Sequence, residues 1–349
     1  MKTNEMINDL LKNCNKKPVT ESATCFAPVN IALIKYWGKR NTELNLPVTN
    51  SFSVTLPSKG TTTTIRLNHL NHDRYMLNNV LLSPENEFSK RLVKFCDFFR
   101  FTDALHFDIE TQNNIPTAAG LASSASGFAA LVLAFDKLFG WQLDQSTLSI
   151  LARIGSGSAC RSFWNGFVEW QKGEREDGCD SLAKPLDVGA TGWSPSGQIQ
   201  NPPLIANNFL SKLRIGLLIF EKDKKIISSR QAMLNTVNTS PSYKNWSTQV
   251  EQDLKDIKQA IFNQDFIRFG EISEKNALAM HATMLDSYPS TDFCTEKTRE
   301  YREKIWSIRK TGIPVYFTQD AGPNLKLLFQ KEMSSLIIER FSGIEIITP

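Results

Sequence analysis

An apolar stretch at residues 121–139 restricts the fold more than any other feature of the chain. Its apolar positions recur at steps of three and four residues: Leu121, Ala125, Phe128, Val132, Phe135 and Phe139. This period predicts a buried α-helix. The longest apolar run, at 128–135, has the length of a core helix and falls well short of the ~20 apolar residues that cross a membrane.

Strands and helices are predicted in a mixed order, without the regular alternation of a doubly wound sheet. The pair Asn78-Asn79 favours a hairpin turn. Residues 1–21 are interpreted as a poorly ordered extension or a short capping helix, and the polar segment 189–208 as a domain connection. Strands are predicted in the run that begins at residue 27 and at 51–56, 61–67, 74–82, 104–111, 166–170, 213–220, 314–318 and 344–347. Helices are predicted at 86–99, 121–139, 144–154, 228–237, 247–262, 265–284, 294–310 and from Pro323.

The length of 349 residues suggests about two domains. The content of 41% hydrophobic and 22% charged residues indicates a globular protein. The 40 basic and 36 acidic residues are scattered, which favours neither a nucleic-acid surface nor a membrane anchor. The net charge of +4 is compatible with an anionic substrate. Six widely spaced cysteines suggest free thiols in a reducing cytoplasm, and the N-terminal residues lack the apolar centre of a secretory signal.

A loop of small residues leads directly into the buried helix. The segment NNIPTAAGLASSASGFAAL, residues 113–131, places Gly120, Ser123 and Ser124 near the helix start, where backbone N–H groups can face an anion. It matches neither a Walker A motif nor a GxGxxG fingerprint. The loop therefore has two interpretations, a phosphate site and an ordinary helix-capping loop.

Three further segments carry side chains that suit chemistry on an anionic substrate. Arg161 in GSGSACRS can bind an oxyanion through its planar guanidinium, or can be a surface residue in a turn. Asp320 in DAGPN can act as a general base, or can cap a helix that opens at Pro323. Lys35 and Lys39 end the first apolar run, where they can serve a site or remain solvated.

Together these segments resemble one family closely, the diphosphomevalonate decarboxylases of the GHMP kinase superfamily. The resemblance extends from about residue 22 to the C-terminal region and is most specific in KYWGK, SGSACR and DAGP. The other matching segments are NNIPTAAGLASSASGFAAL, GFVEW, EDGCDS, SSRQAM, HATMLDS and DAGPN.

The resemblance implies an α+β GHMP kinase fold with mixed sheets, packed helices and a cleft between an N-terminal ATP-binding domain at 22–195 and a C-terminal domain at 205–349. It implies that ATP, with Mg²⁺, drives decarboxylation of (R)-5-diphosphomevalonate to isopentenyl diphosphate in the mevalonate pathway of isoprenoid biosynthesis. A cytoplasmic homodimer is the expected form.

The resemblance also implies roles for individual residues. Asp320 acts on the C3 hydroxyl and pairs with Lys35, and Arg161 binds the C1 carboxylate. Substrate binding is expected from Tyr36, Trp37, Gly38, Lys39, Ser156, Gly157, Ser158, Ala159, Cys160, Arg161, Ser229 and Arg230. The ATP phosphates are expected at Ala118, Ala119, Gly120, Leu121, Ala122, Ser123 and Ser124, with Ser124 a candidate Mg²⁺ ligand.

The chain departs from the family pattern around Thr49 and Asn50, at Gln319 and Asn165, and at Phe88, where some relatives place a phosphate-contacting arginine. Lys90 or Arg91 is the candidate replacement. Two alternatives to the expected function stand. One is a related enzyme, either a phosphomevalonate decarboxylase or a kinase that stops at the 3-phosphate. The other is a catalytically silent nucleotide-binding relative.

Overall fold

The computed structural model describes residues 3–115, 123–186, 204–220 and 227–349. The helices are α1 Thr3–Leu10, α2 Glu87–Cys96, α3 Ser123–Phe139, α4 Gln145–Gly155, α5 Leu204–Lys212, α6 Ser229–Thr239, α7 Trp246–Phe262, α8 Phe266–Leu285, α9 Glu296–Lys310 and α10 Ser334–Arg340. The strands are β1 Ser22–Ile34, β2 Lys39–Asn41, β3 Leu46–Pro47, β4 Ser51–Asn68, β5 Arg74–Leu77, β6 Val80–Leu81, β7 His106–Asn113, β8 Phe167–Trp170, β9 Ala183–Pro185, β10 Leu213–Leu218, β11 Tyr316–Gln319, β12 Leu325–Gln330 and β13 Glu345–Ile347.

A seven-stranded sheet forms the N-terminal half around the long strand β4. The order is β6-β5-β7-β4-β8-β9, and β1 also pairs with β4. Two separate strands were predicted at 51–56 and 61–67, but β4 is continuous over 18 residues. A register shift between Pro28 and Val29 absorbs the extra residues of β4. The prediction was wrong because a bulge lets a strand bend without ending.

Helix α3 packs on β1 and β4 and confirms the predicted buried helix. Its Phe128 and Phe135 side chains are at most 2% exposed. Residues Asn78 and Asn79 adopt positive φ angles of 48° and 65° between β5 and β6, which confirms the predicted hairpin turn. Helix α1 confirms the short capping helix and buries Met6.

A four-stranded antiparallel sheet, β11-β12-β10-β13, forms the C-terminal half and contacts helix α8. A hydrophobic cluster, here called the shared core, lies between this half and the first sheet. Residues from both halves contribute to it. Its members include Val29 and Ile31 of β1, Phe167 of β8, Trp246 of α7 and Phe269 of α8. The Phe167 and Phe269 rings meet with their centroids 6.0 Å apart. The end of β1 is therefore fixed by packing from both sides.

Two predictions in this half need correction. The chain does not form a helix from Pro323, because it turns after Asp320 and enters β12 between β10 and β11. The run LKLLF is buried on both faces there. A short apolar run of this kind does not distinguish a buried strand from a buried helix, so its sequence pattern alone could not decide. Of the predicted connection 189–208, residues 189–203 lie outside the described part, and residues 204–208 belong to α5.

Candidate active site

Lys35 follows the last residue of β1 and is buried where the two halves meet. Its side chain is only 2% exposed. The Nζ atom donates to Asp320 Oδ1 and to the Ala32 carbonyl, both at 2.8 Å. Burial lowers the pKa of Lys35 to about 8, although attraction to Asp320 opposes this shift. The interior of the protein therefore contains an ammonium group, and this group contacts one carboxylate.

Asp320 follows β11 and lies between two ammonium groups. Its Oδ2 accepts a hydrogen bond from Lys326 Nζ at 2.9 Å, and its Oδ1 accepts the one from Lys35. Burial would raise the pKa of Asp320, but attraction from Lys326 and Lys35 holds it well below its usual value. Two cations thus face one ionised carboxylate, and the Asp320 side chain remains 25% exposed.

The turn that carries Asp320 is held from two sides. Buried His281 donates from Nε2 to the Asp320 carbonyl at 3.1 Å. Gln319, which is also buried, donates to the Gly322 carbonyl at 2.7 Å and accepts from Arg302. Burial, with the charges of Arg302 and Lys35, lowers the pKa of His281 to about 3, so the ring is neutral and donates to the carbonyl.

The backbone at Lys35 is held by an amide that belongs to the other half of the chain. Asn276 of α8 accepts from the Lys35 N–H at 2.8 Å. Its Nδ2 donates to Asp253 Oδ2 of α7 at 2.9 Å, which fixes the orientation of the amide. Asp253 is buried and also pairs with exposed Lys275 at 3.2 Å. These contacts make Asn276 a positioning residue for Lys35.

Arg161 ends a short 3₁₀ helix at Gly157–Arg161 and is 2% exposed. Its Nε donates to Asn30 Oδ1 at 3.1 Å, and its Nη1 donates to the Ser51 hydroxyl. Within the described residues no carboxylate lies within ion-pair distance of Arg161, although the charge of Asp320 reaches it. A buried guanidinium that is bound only by neutral groups is suited to an anionic ligand.

Residues Tyr36, Trp37 and Gly38 lie between β1 and β2, and Lys39 is the first residue of β2. Gly38 has φ +113°, and a Cβ atom there would lie 1.8 Å from the Tyr243 hydroxyl. That hydroxyl donates to the Trp37 carbonyl at 3.0 Å. The Tyr36 hydroxyl oxygen is buried beside Gly157 and has no hydrogen-bond partner among the described residues.

Other predicted site residues differ in what their side chains can reach. Ser124 Oγ lies 3.4 Å from Ser156 Oγ, so the start of α3 meets the Arg161 segment. The Ser158 carbonyl accepts from Asn30. Ala159 and Cys160 are fully buried, so their side chains face the core. Gly157 packs against Tyr36. Ser229 and Arg230 begin α6.

The predicted phosphate loop cannot be placed, because Ala118, Ala119, Gly120, Leu121 and Ala122 lie outside the described residues, as does the Ser123 side chain. Within 3–115, 123–186, 204–220 and 227–349, no group of three or more His, Cys, Asp or Glu could hold a metal ion. No helix in the same ranges is long and apolar enough to span a bilayer.

The α+β architecture, with its charged centre between the halves, is that of the GHMP kinase fold. Two family models match the chain: the diphosphomevalonate decarboxylase-like N-terminal domain at residues 27–183 and the mevalonate 5-diphosphate decarboxylase C-terminal domain at 215–345. The chain belongs to the diphosphomevalonate decarboxylase family.

Individual relatives are similar along most of their length. The diphosphomevalonate decarboxylase of Candida albicans is 35% identical, with 93% of this chain and 89% of the relative covered. The crystal structure of mevalonate diphosphate decarboxylase from Staphylococcus aureus matches with a TM-score of 0.82 and 37% identity, covering 94% of this chain and 95% of that one. A complex of MDDEF with MVAPP, AMPPCP and magnesium matches with a TM-score of 0.81 and 37% identity, covering 94% and 99%.

Proposed function

We propose that the chain converts (R)-5-diphosphomevalonate and ATP to isopentenyl diphosphate, ADP, phosphate and CO₂. The observation that carries this proposal is the position of Asp320 between Lys35 and Lys326, close enough to Arg161 for their charges to interact. Family membership supports the same reaction, and the related MDDEF structure contains MVAPP, AMPPCP and magnesium.

In the proposed first step, Asp320 accepts a hydrogen bond from the C3 hydroxyl and orients its oxygen toward the γ-phosphorus of ATP. The oxygen bonds to that phosphorus as the bond from the phosphorus to ADP breaks, so ADP leaves, C3 carries a phosphate, and the hydroxyl proton passes by way of Asp320 to solvent. The ionised state of Asp320 suits this contact, because its pKa is far below neutral. Lys35 and Lys326 keep the carboxylate in place and reduce its repulsion of the nucleotide. Their contribution is one of position and electrostatics.

In the second step, the C3–O bond breaks and the phosphate leaves with its electron pair. The C1–C2 bond then breaks, its electrons form the C2–C3 double bond, and CO₂ departs. Arg161 binds the C1 carboxylate before this step, so its fork holds C1 and C2 in the required orientation. Loss of the carboxylate charge on CO₂ formation also releases the product from Arg161.

The ATP phosphates are assigned to residues 118–124. The hydroxyl groups of Ser124, at the start of α3, and Ser156, which follows α4, lie 3.4 Å apart and fit this assignment because they are hard oxygen donors. Magnesium would neutralise phosphate charge there, with Ser124 as a candidate ligand. Tyr36 to Lys39, Ser156, Ser158, Ser229 and Arg230 are assigned to the substrate's phosphate and carboxylate ends. We also propose the domains 22–195 and 205–349, a cytoplasmic location and a homodimer.

The test follows ADP and CO₂ together from Mg-ATP and (R)-5-diphosphomevalonate, with the 5-monophosphate in parallel. Equal release of both products from the diphosphate supports the proposal. ADP without CO₂ would indicate a kinase, preference for the monophosphate a phosphomevalonate decarboxylase, and neither product a silent relative. Asp320→Asn should lower kcat at least about 100-fold with little change in ATP affinity, and unchanged turnover would defeat the role of Asp320.

A further inference from the structure

The side chain of Asn45 is an amide that is fixed in one orientation. Asn45 lies in the turn between β2 and β3, has a φ angle of 52° and is only 1% exposed. Its Nδ2 donates to the carbonyls of Arg153 and Ile154 at 2.9 and 2.8 Å, both in the last turn of α4. Because an amide nitrogen has two hydrogens and both are bound, Oδ1 must point away from the end of α4.

The Oδ1 atom of Asn45 binds the ammonium group of Lys39. Lys39 Nζ donates to it at 2.6 Å across the pair of strands β2 and β3. Among the described residues, no carboxylate lies within ion-pair distance of Lys39. An ammonium group has three hydrogens, so two remain for a ligand. A neutral acceptor therefore orients Lys39 without cancelling its charge.

The end of α4 makes Asn45 a rigid and strong acceptor. Arg153 donates from Nε to the Leu44 carbonyl at 3.2 Å, so the hairpin and the helix bind each other in both directions. The last carbonyls of a helix carry partial negative charge, and hydrogen bonds in series polarise one another. The two carbonyls that bind Nδ2 thus increase the electron density at Oδ1, which faces the cation.

The other neighbours of Lys39 would favour an ammonium group that turns away. Burial lowers the pKa of Lys39 to about 8, and repulsion from Arg230 and Arg91 acts in the same direction. Arg91 is turned inward from α2, whereas Lys90 beside it pairs with Glu85 on the outer surface. A free lysine side chain also has many rotamers, and ordering them costs affinity when a ligand binds. The amide acceptor opposes both effects.

We propose that Asn45 is a positioning residue that holds the Lys39 ammonium group toward the substrate's diphosphate before the substrate binds. Because Lys39 is then already ordered, binding costs less side-chain entropy, and the contact lowers KM rather than raising kcat. This inference rests on the proposed decarboxylation of (R)-5-diphosphomevalonate, in which Lys39 binds the phosphate end of the substrate.

The test compares Asn45→Gly with the control Asn41→Gly. Glycine tolerates the φ angle of 52°, so Asn45→Gly removes the amide without straining the turn. It should raise KM for the diphosphate about 5- to 20-fold and change kcat at most about threefold. Asn41 belongs to the same hairpin, but its amide oxygen accepts from the N–H groups of Glu43 and Leu44, both at 3.0 Å. Asn41→Gly should therefore leave KM within about twofold.

A double-mutant cycle with Lys39→Met separates positioning from a purely structural role. Binding of inorganic pyrophosphate, followed by titration calorimetry, requires no turnover. If Asn45 acts through Lys39, Asn45→Gly should raise the Kd about 5- to 20-fold in the wild type but less than about twofold in Lys39→Met. A displaced end of α4 would weaken binding in either background, so equal factors in the two backgrounds would overturn the proposal.

The same measurements distinguish this proposal from the proposed function. If the wild-type chain decarboxylates neither the diphosphate nor the monophosphate, the proposed function fails, and the pyrophosphate cycle still decides the role of Asn45. If the wild type does not bind pyrophosphate, or if Asn45→Gly and Asn41→Gly have equal effects on its Kd, the positioning role of Asn45 is wrong.

Discussion

Replacing Asn276 by Asp tests whether the protein requires an amide at this position, with its oxygen toward the Lys35 N–H and its nitrogen toward Asp253. The variant keeps the size of the side chain and its acceptor for the Lys35 N–H. It replaces the Nδ2 donor with an oxygen that lies 2.9 Å from Asp253 Oδ2. Two carboxylates at that distance in a buried site cannot both be ionised, so the folded variant must bind one additional proton.

The expected loss of stability follows from the cost of that proton. Protonating a carboxyl group with an ordinary pKa of about 3.9 costs about 1.4 kcal/mol for each pH unit above that value. Asn276→Asp should therefore lose about 4 kcal/mol at pH 7 and about 1.5 kcal/mol at pH 5. The sign is fixed by linkage: the folded state binds more protons than the unfolded state, so stability falls as pH rises from about 4 to 7.

The assay is urea unfolding of the wild type and the variant at pH 5, 6 and 7, with the wild-type change subtracted at each pH. The double variant Asn276→Asp/Asp253→Asn restores one donor and one acceptor between the helices. It should recover the stability to within about 1 kcal/mol, because the lost ion pair with Lys275 joins an exposed side chain. A loss that does not change with pH, or a double variant without recovery, would refute the reasoning.

Two further substitutions probe the charged centre and the segment after β1. Activity of the wild type should decline above pH 8, because Lys35 has a pKa of about 8 and its ammonium form is lost as pH rises. Since the charge of Lys326 lowers the pKa of Lys35, Lys326→Met should move the alkaline limb of the pH–kcat profile to higher pH; an unmoved limb would contradict this account. Gly38→Ala should raise KM for the diphosphate roughly tenfold or more. The added Cβ would lie 1.8 Å from the Tyr243 hydroxyl oxygen, and the φ angle of +113° at this position is strained for a residue with a side chain. Gly127→Ala is the control, because no atom lies within 4 Å of the added Cβ, and equal KM values in the two alanine variants would count against the clash.

Much of the architecture could be predicted because long periodic segments specify their own structure. The buried helix α3 and the Asn78-Asn79 hairpin were both confirmed. The segment after Asp320 could not be predicted, because LKLLF is short and its environment comes from two neighbouring strands. The contact between Lys326 and Asp320 was therefore not predicted, because a helix would have placed Lys326 away from Asp320. A lysine inside a short apolar run was the available signal.

Contacts between side chains and residues far away in the sequence could not be predicted either. Asn276 binds the backbone of Lys35, 241 positions earlier in the chain, and no local pattern marks that contact. Nor does any local pattern show that His281 donates to the Asp320 carbonyl. The choice between Lys90 and Arg91 depended on which face of α2 is turned inward, and packing of α2 against α4 and α3 decides that.

The shared core also limits how members of this family can exchange parts. Val29 and Ile31 come from the first half and Trp246 and Phe269 from the second, and all lie in one packed interior. A chimera that joins halves from two relatives would combine surfaces that were selected against different partners, and dense interiors tolerate such mismatches poorly. Recombination between these genes should therefore preserve whole coding sequences, and the two halves should diverge at matched rates.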